Sequence, residues 1–280
     1  MRERRGEGED MTEHEQAPPG IDPTVPSVAR MYDYYLGGKD NFASDRIAGE
    51  KIVELVPNVK DVARSNRAFL GRTVRHLVAA GIRQFIDIGA GLPTQENVHQ
   101  VVLREAPDSQ VVYVDNDPIV LVHARALLAD NARTVVIPGD LREPEAILDH
   151  PDVRERIDFD QPVAVLMVSI LHFVADDEQV SGIAASLGKR LVSGSHVVIS
   201  HVTSGDLTEE QVRQGRGVYG TTTAGGIFPR TLTQIRGLFD GLEMLEPGLV
   251  PVYDWRPDSG DVVIPPGAGA VTVGAVGRVP

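Results

Sequence analysis

Apolar positions along the chain change period repeatedly, and each change marks a new element. Val62, Phe69, Val74, Leu77 and Val78 recur at helical spacing over 61–80, and the pattern stops at Gly81, a C-cap position. A short apolar run at 85–88 predicts a strand, followed by a Gly-rich turn and a helix-like stretch over 94–105. VVYV at 111–114 predicts a second strand. Asp117 and Pro118, an N-cap with proline at the first helical position, then open a helix through Ala129. A third strand is predicted at 134–137. A fourth, at 163–169, is apolar on both faces, as a central parallel strand is. Residues 176–191 read as helix and 195–200 as a fifth strand. Helix-like segments recur at 208–214 and 231–240, and apolar runs near 242–253 and 270–276 supply a final pair of strands. Strands alternating with helices predict an α/β sheet with helices on both faces.

The first 22 residues break this order. They hold seven acids, three arginines and almost no large apolar side chains, which predicts a disordered acidic tail with no secretory h-region. The longest near-apolar run, 163–174, is too short to span a bilayer. No Gly/Ser- or Pro-rich linker divides 27–257, so 23–280 reads as one domain: a helical lid at 23–60, a core at 61–205 and a C-terminal part at 206–280. Composition narrows the chemistry. There is no cysteine, which excludes disulfides, a thiol nucleophile, Cys-ligated zinc and protein-ligated iron–sulfur clusters. The net charge of −13 argues against general nucleic-acid binding, and no His/Asp/Glu cluster has metal-site spacing.

Three strand ends carry candidate chemistry. IDIGAGLPT at 86–94 puts Gly89, Ala90 and Gly91 directly after the first strand. Glycine there admits a ligand that a Cβ would block, although a purely structural turn reads the same way. The third glycine of a dinucleotide fingerprint is missing, and Asp87 precedes the turn. An anion there disfavours pyrophosphate and suits a cationic nucleoside such as S-adenosylmethionine. Asp115, ending the second strand, is placed to accept from ribose hydroxyls. Asp140, after the third strand, lies beside an adenine position or is an ordinary loop residue. Asp117 reads better as a helix cap than as a ligand residue.

These strings resemble the class I S-adenosylmethionine-dependent methyltransferases. More closely, the chain is similar to an actinomycete-rich S-adenosyl methyltransferase family long carried as a domain of unknown function. The matching strings include PSVARMYDYYLGGKDNFASDR (26–46), IDIGAGLPT, VVYVDNDP, GDLREP and PVAVLMVSILHFV, and the likeness covers roughly 23–280. It implies a Rossmann-like, seven-stranded, mostly parallel sheet with an antiparallel last strand, helices on both faces and an N-terminal helical lid. It implies S-adenosyl-L-methionine as cofactor. Gly89, Ala90 and Gly91 would pass under the methionine moiety, and Asp87 would place the ammonium. Asp115 would hold the ribose and Asn116 flank the adenine, with Asp140 and Leu141 at its edge and face. Ser169 would offer backbone atoms to the amino acid part. Lys39 or Arg67 could pair with the cofactor carboxylate. The aromatic string MYDYYLGGKDNF could fold over the cofactor about a hinge at Gly37 and Gly38, or pack its rings into the core.

Methyl transfer runs largely on positioning, so no catalytic dyad is required. His172, just past the fourth strand, is the best candidate base, in a segment similar to that of small-molecule O-methyltransferases, and a structural role competes. His201, ending the fifth strand, is the second. The expected activity is methyl transfer to a small molecule in the cytoplasm, without nucleic acid or membrane. The alternatives are a cofactor-binding regulator without turnover and a nicotinamide-dependent oxidoreductase.

Overall fold

The computed structural model describes residues 21–93, 96–128, 131–261 and 271–280. The predicted helix ends at Thr94 and Ala129, and the acidic tail up to residue 20, lie outside these residues. The parallel strands are β1 (Gln84–Ile88), β2 (Gln110–Asp115), β3 (Thr134–Pro138), β4 (Ala164–Val168) and β5 (His196–Thr203). They are followed by β6 (Glu243–Met244), β7 (Val250–Pro251) and β8 (Val271–Arg278). The order across the sheet is β3-β2-β1-β4-β5-β8-β6, with β7 also on β8, and β8 runs antiparallel to β5.

Among the described residues eight strands therefore stand where seven are expected, and the difference lies at the far edge. β6 and β7 pair with successive stretches of β8, Met244 opposite Gly277 and Pro251 opposite Val273. Between them Pro247 has no N–H to donate and Gly248 takes φ +84, so one edge position holds two short strands.

Alternate strand residues feed two cores, one on each face. Ile86, Val112, Val165 and Val197 pack with α6 (Pro144–Leu148), α7 (Pro151–Arg156) and α8 (Asp177–Arg190). Phe85, Val111, Leu166 and Val198 pack with α3 (Val59–Ala79) and α4 (Val98–Glu105), closed by the buried Trp255. α6 and α7 are too short to show a hydrophobic period, and the sequence pattern misses both. Further helices are α5 (Pro118–Leu127), α9 (Glu209–Tyr219) and α10 (Leu232–Gly237).

The lid helices, α1 (Val28–Leu36) and α2 (Ala43–Leu55), share a satellite core with α3 and Tyr219. A buried ion pair joins them, Arg30 Nε to Asp45 at 2.7 Å. Asp45 also accepts the backbone N–H groups of Ser27 and Phe42. Gly37 caps α1 in the left-handed region, and Asp33 accepts from Asp40 N–H and Asn41 Nδ2 beyond it. The Gly37–Gly38 break is thus a tied C-cap. No described helix is long and apolar enough to cross a membrane.

Candidate active site

Because β1 to β5 are parallel, their carboxyl ends lie on one edge, and the order reverses between β1 and β4. A crevice opens outside such a switch point. There a cavity of about 610 Å³ is lined by the turn after β1, the ends of β2 to β5, the lid and α3. That volume falls within the roughly 300–1,000 Å³ of small-molecule sites.

One end is ringed by carboxylates. Gly89 N–H donates to Val114 O at 2.8 Å, drawing the turn across β2. A Cβ on Gly89, at φ +76, would meet Ile170 at 2.5 Å, so no larger residue keeps this turn. Gly91, at φ +66, has nothing within 4 Å of where a Cβ would lie, and its backbone is open to the cavity. Asp115 clasps the turn. Its Oδ2 accepts from Gly91 N–H and its Oδ1 from Asp117 N–H, both at 2.9 Å. Burial raises the Asp115 pKa against these hydrogen bonds. Asp87 is buried, and desolvation lifts its pKa to about 7, with Arg67 pulling it down and Asp115 pushing it up. Asp140 lines the same end with Leu141, but its carboxylate is paired with Arg142, which holds its pKa low. Asp117 caps α5 through Ile119 N–H and also accepts from Ser27 Oγ, tying the lid to this loop.

The other end is aromatic and apolar, lined by Tyr32, Tyr35, Phe173, Tyr219, Val202 and Ile227. Tyr34 turns outward, under the Lys60 ammonium at 4.7 Å. Thr223, Ala224 and Ile227 bring the loop between α9 and α10 to the wall. His172 lines this end, with Nδ1 3.5 Å from the N–H of Val202. That nitrogen accepts, so the neutral ring carries its proton on Nε2. Burial, with His201 and Arg230 nearby, holds its pKa well below the usual value. His201 is not among the lining residues. Its Nδ1 donates to Val202 O at 2.8 Å and its Nε2 accepts from Arg230 at 3.1 Å. Burial first, then Arg230, lowers its pKa to about 4. This corrects the expectation of His201 as a base: both ring nitrogens are engaged, away from the cavity. His172 lines the cavity, and in this tautomer it offers a donor and not a lone pair.

The family model for S-adenosyl methyltransferase matches residues 14–280. The chain belongs to this S-adenosyl methyltransferase family. A candidate methyltransferase from Thermobifida fusca is 39% identical, over 94% of this chain and 98% of that one, with a TM-score of 0.86. A protein of the DUF574 family from Streptomyces avermitilis is 38% identical over 91% and 98%, with a TM-score of 0.85. No curated protein matches. The protein is an S-adenosylmethionine-dependent methyltransferase with the Rossmann-like class I fold.

The methyltransferase's own residues fit that cofactor. An open glycine turn and buried carboxylates, with no third glycine for a pyrophosphate, suit a cationic nucleoside. Asp87, Gly89, Ala90, Gly91, Asp115, Asn116, Asp140, Leu141 and Ser169 all line the one cavity. Of the two cations considered for the cofactor carboxylate, Arg67 lines it and Lys39 does not. Sequence reasoning passed over Asn66, Tyr219 and Arg230. Asn66 had a signal, being a polar residue within the apolar stripe of α3, four after Val62 and three before Phe69. Tyr219 and Arg230 had none, because their partners are distant in sequence.

Proposed function

We propose that this methyltransferase acts on a small molecule held between the lid and the ends of β4 and β5, by direct displacement. The observation that carries the reading is that one cavity joins the carboxylate-ringed end to an aromatic, largely apolar chamber. In this reading the lid (23–60), the cofactor half (61–205) and the substrate side (206–280) work as one domain, in the cytoplasm and without nucleic acid. Bound cofactor supplies a methyl group that already carries its leaving group. The chain orients and encloses. Asp115 takes the ribose hydroxyls, Asp87 the ammonium, Arg67 the carboxylate, and Asp140, Leu141 and Asn116 the adenine. The turn Gly89, Ala90, Gly91 and the backbone of Ser169 seat the methionine part. Holding the two reactants in register is worth about 7–11 kcal/mol in well-oriented systems.

Thermal unfolding tests the reading. S-adenosylhomocysteine at 100 times its Kd stabilises the protein by about 2.7 kcal/mol, and NAD does not. Stabilisation by NAD alone would sink it. Labelled-methyl transfer to a cell extract separates turnover from mere binding.

Asp87 adds a pH dependence. Below pH 7 its carboxyl is protonated in the free protein, and it must lose that proton to meet a cation. Affinity for S-adenosylmethionine therefore falls as pH drops through 7, by up to about tenfold per unit, and levels off above it. Titration calorimetry at pH 6 and 8 measures this, and Asp87→Asn should flatten the difference. An equal slope in that variant would assign the effect elsewhere.

A further inference from the structure

At the acceptor end, hydrogen bonds run in one direction. Tyr32 Oη lies 3.0 Å from the carbonyl oxygen of Ala63, which can only accept, so the phenol donates there. Asn66 Nδ2, 3.0 Å from the same phenol oxygen, donates to it. Asn66 Oδ1 then faces Ser200, whose Oγ donates across 2.6 Å. Having given its proton, Ser200 receives one from Ser169 Oγ at 3.3 Å. The order is Ser169 to Ser200 to Asn66 to Tyr32 to Ala63, set by the backbone carbonyl at its end. Ser169 and Tyr32 line the cavity, and each has given up its only proton. What they offer a ligand is lone pairs. Ser169 holds this position at φ +59, a conformation rare outside glycine, at the tip of β4.

Among the described residues the formal charge near this end is Arg67, which lines the cavity close enough to act on the Tyr32 phenol and which the reading above gives to the cofactor carboxylate. The cavity's carboxylates, Asp22, Asp87, Asp115, Asp117 and Asp140, belong to the nucleoside end or its rim. Arg30 is paired with Asp45, and Arg142 with Asp140. His172 has no lone pair to take a proton, since Val202 N–H occupies Nδ1.

These features discriminate between acceptor groups. A carboxylate or phosphate would bring an anion to lone pairs and would have to compete with the cofactor carboxylate for Arg67. A hydroxyl would need a base as its oxygen is methylated, and none is placed there. An ammonium finds no carboxylate and loses its proton on entry. A neutral nitrogen needs neither. We propose, on the strength of the methyl-transfer reading above, that the acceptor is an uncharged nitrogen on a largely apolar small molecule, a secondary or aromatic amine whose N–H is held by Ser169 Oγ and Tyr32 Oη. The nitrogen lone pair forms the new C–N bond as the C–S bond breaks, and the electron pair of that bond stays on sulfur. The positive charge passes from sulfur to nitrogen, in a chamber lined by Tyr32, Tyr35, Phe173 and Tyr219, whose π faces stabilise a cation. The extra proton leaves to solvent with the product.

The test uses matched bicyclic probes: 2-(methylamino)naphthalene, 2-naphthol and 2-naphthoate, with the same three groups repeated on an indane scaffold. Each is titrated calorimetrically into full-length protein saturated with S-adenosylhomocysteine. The amines bind at least tenfold more tightly than the carboxylates, and Ser169→Ala and Tyr32→Phe each weaken amine binding about tenfold. With S-adenosylmethionine, labelled methyl is recovered on nitrogen. Carboxylates binding as well as amines, label recovered on the naphthol oxygen in preference, or amine affinity unchanged in both variants would overturn the proposal. So would failure of every amine to bind while S-adenosylhomocysteine binds. Failure of S-adenosylhomocysteine itself to bind would overturn the methyltransferase reading, and this proposal with it.

Discussion

Replacing Asp115 with alanine lowers affinity for S-adenosylhomocysteine by at least a hundredfold. The carboxylate holds the turn together as well as lining the cavity. Its two oxygens accept from Gly91 N–H and Asp117 N–H, and it is only 8% exposed. Hydrogen bonds to a charged group contribute about 1.5–3 kcal/mol each, and buried donors left without a partner add to the loss. Two such bonds reach about 3–6 kcal/mol, beyond a hundredfold in a binding constant. The Gly91 turn and the Asp117 cap of α5 loosen together, and through Ser27 so does the start of the lid. Asp115→Asn does not rescue binding. Both carboxylate oxygens receive backbone N–H groups, so one amide nitrogen must face a donor. Titration calorimetry decides the point, and a loss below about threefold would show that the turn stands without Asp115.

Replacing Arg230 with methionine destabilises the fold by about 3 kcal/mol and lowers Tm by roughly 6–12 °C. The guanidinium is 5% exposed and holds four partners: Asp177, the carbonyls of Leu171 and Val174, and His201 Nε2. Asp177 is largely exposed and can turn to water. The two carbonyls and the histidine are left buried without a donor, which sets the magnitude. Asp177→Ala, the exposed half of the pair, costs under about 1 kcal/mol. Leu171 to Val174 carries His172 and Phe173, so Arg230→Met also weakens amine binding while leaving the glycine turn alone. Denaturant unfolding followed by titration separates the two effects. A stability loss under about 1 kcal/mol would mean that water replaces the arginine.

The parallel strands were readable because they are buried on both faces, which leaves an unbroken apolar run such as 163–168. The cofactor end was readable for a related reason. Parallel strands bring their carboxyl ends to one edge, so Asp87, Asp115 and Asp140 had to meet once the strands were placed. The broken edge strand was hidden because β6 and β7 are two residues long, too short for a pattern. The two histidines show the limit most clearly. His172 and His201 follow neighbouring strands and look alike in the sequence, yet only His172 lines the cavity. What separates them is Arg230, 29 residues beyond His201.

By itself the sequence determined the sheet and the strand ends that meet at the cavity, because these follow from local period and from the geometry common to parallel strands, and its family resemblance gave the cofactor. It also set the lid, through an aromatic string at 31–42, without saying which rings face inward. The tertiary structure alone decided that Tyr32 and Tyr35 line the cavity while Tyr34 faces Lys60, and that His201 is spent on Arg230. It alone decided that Ser169 and Tyr32 present lone pairs. A hydroxyl's direction depends on what its neighbour has already accepted, and the Ser200–Asn66 bond that sets it joins residues 134 positions apart.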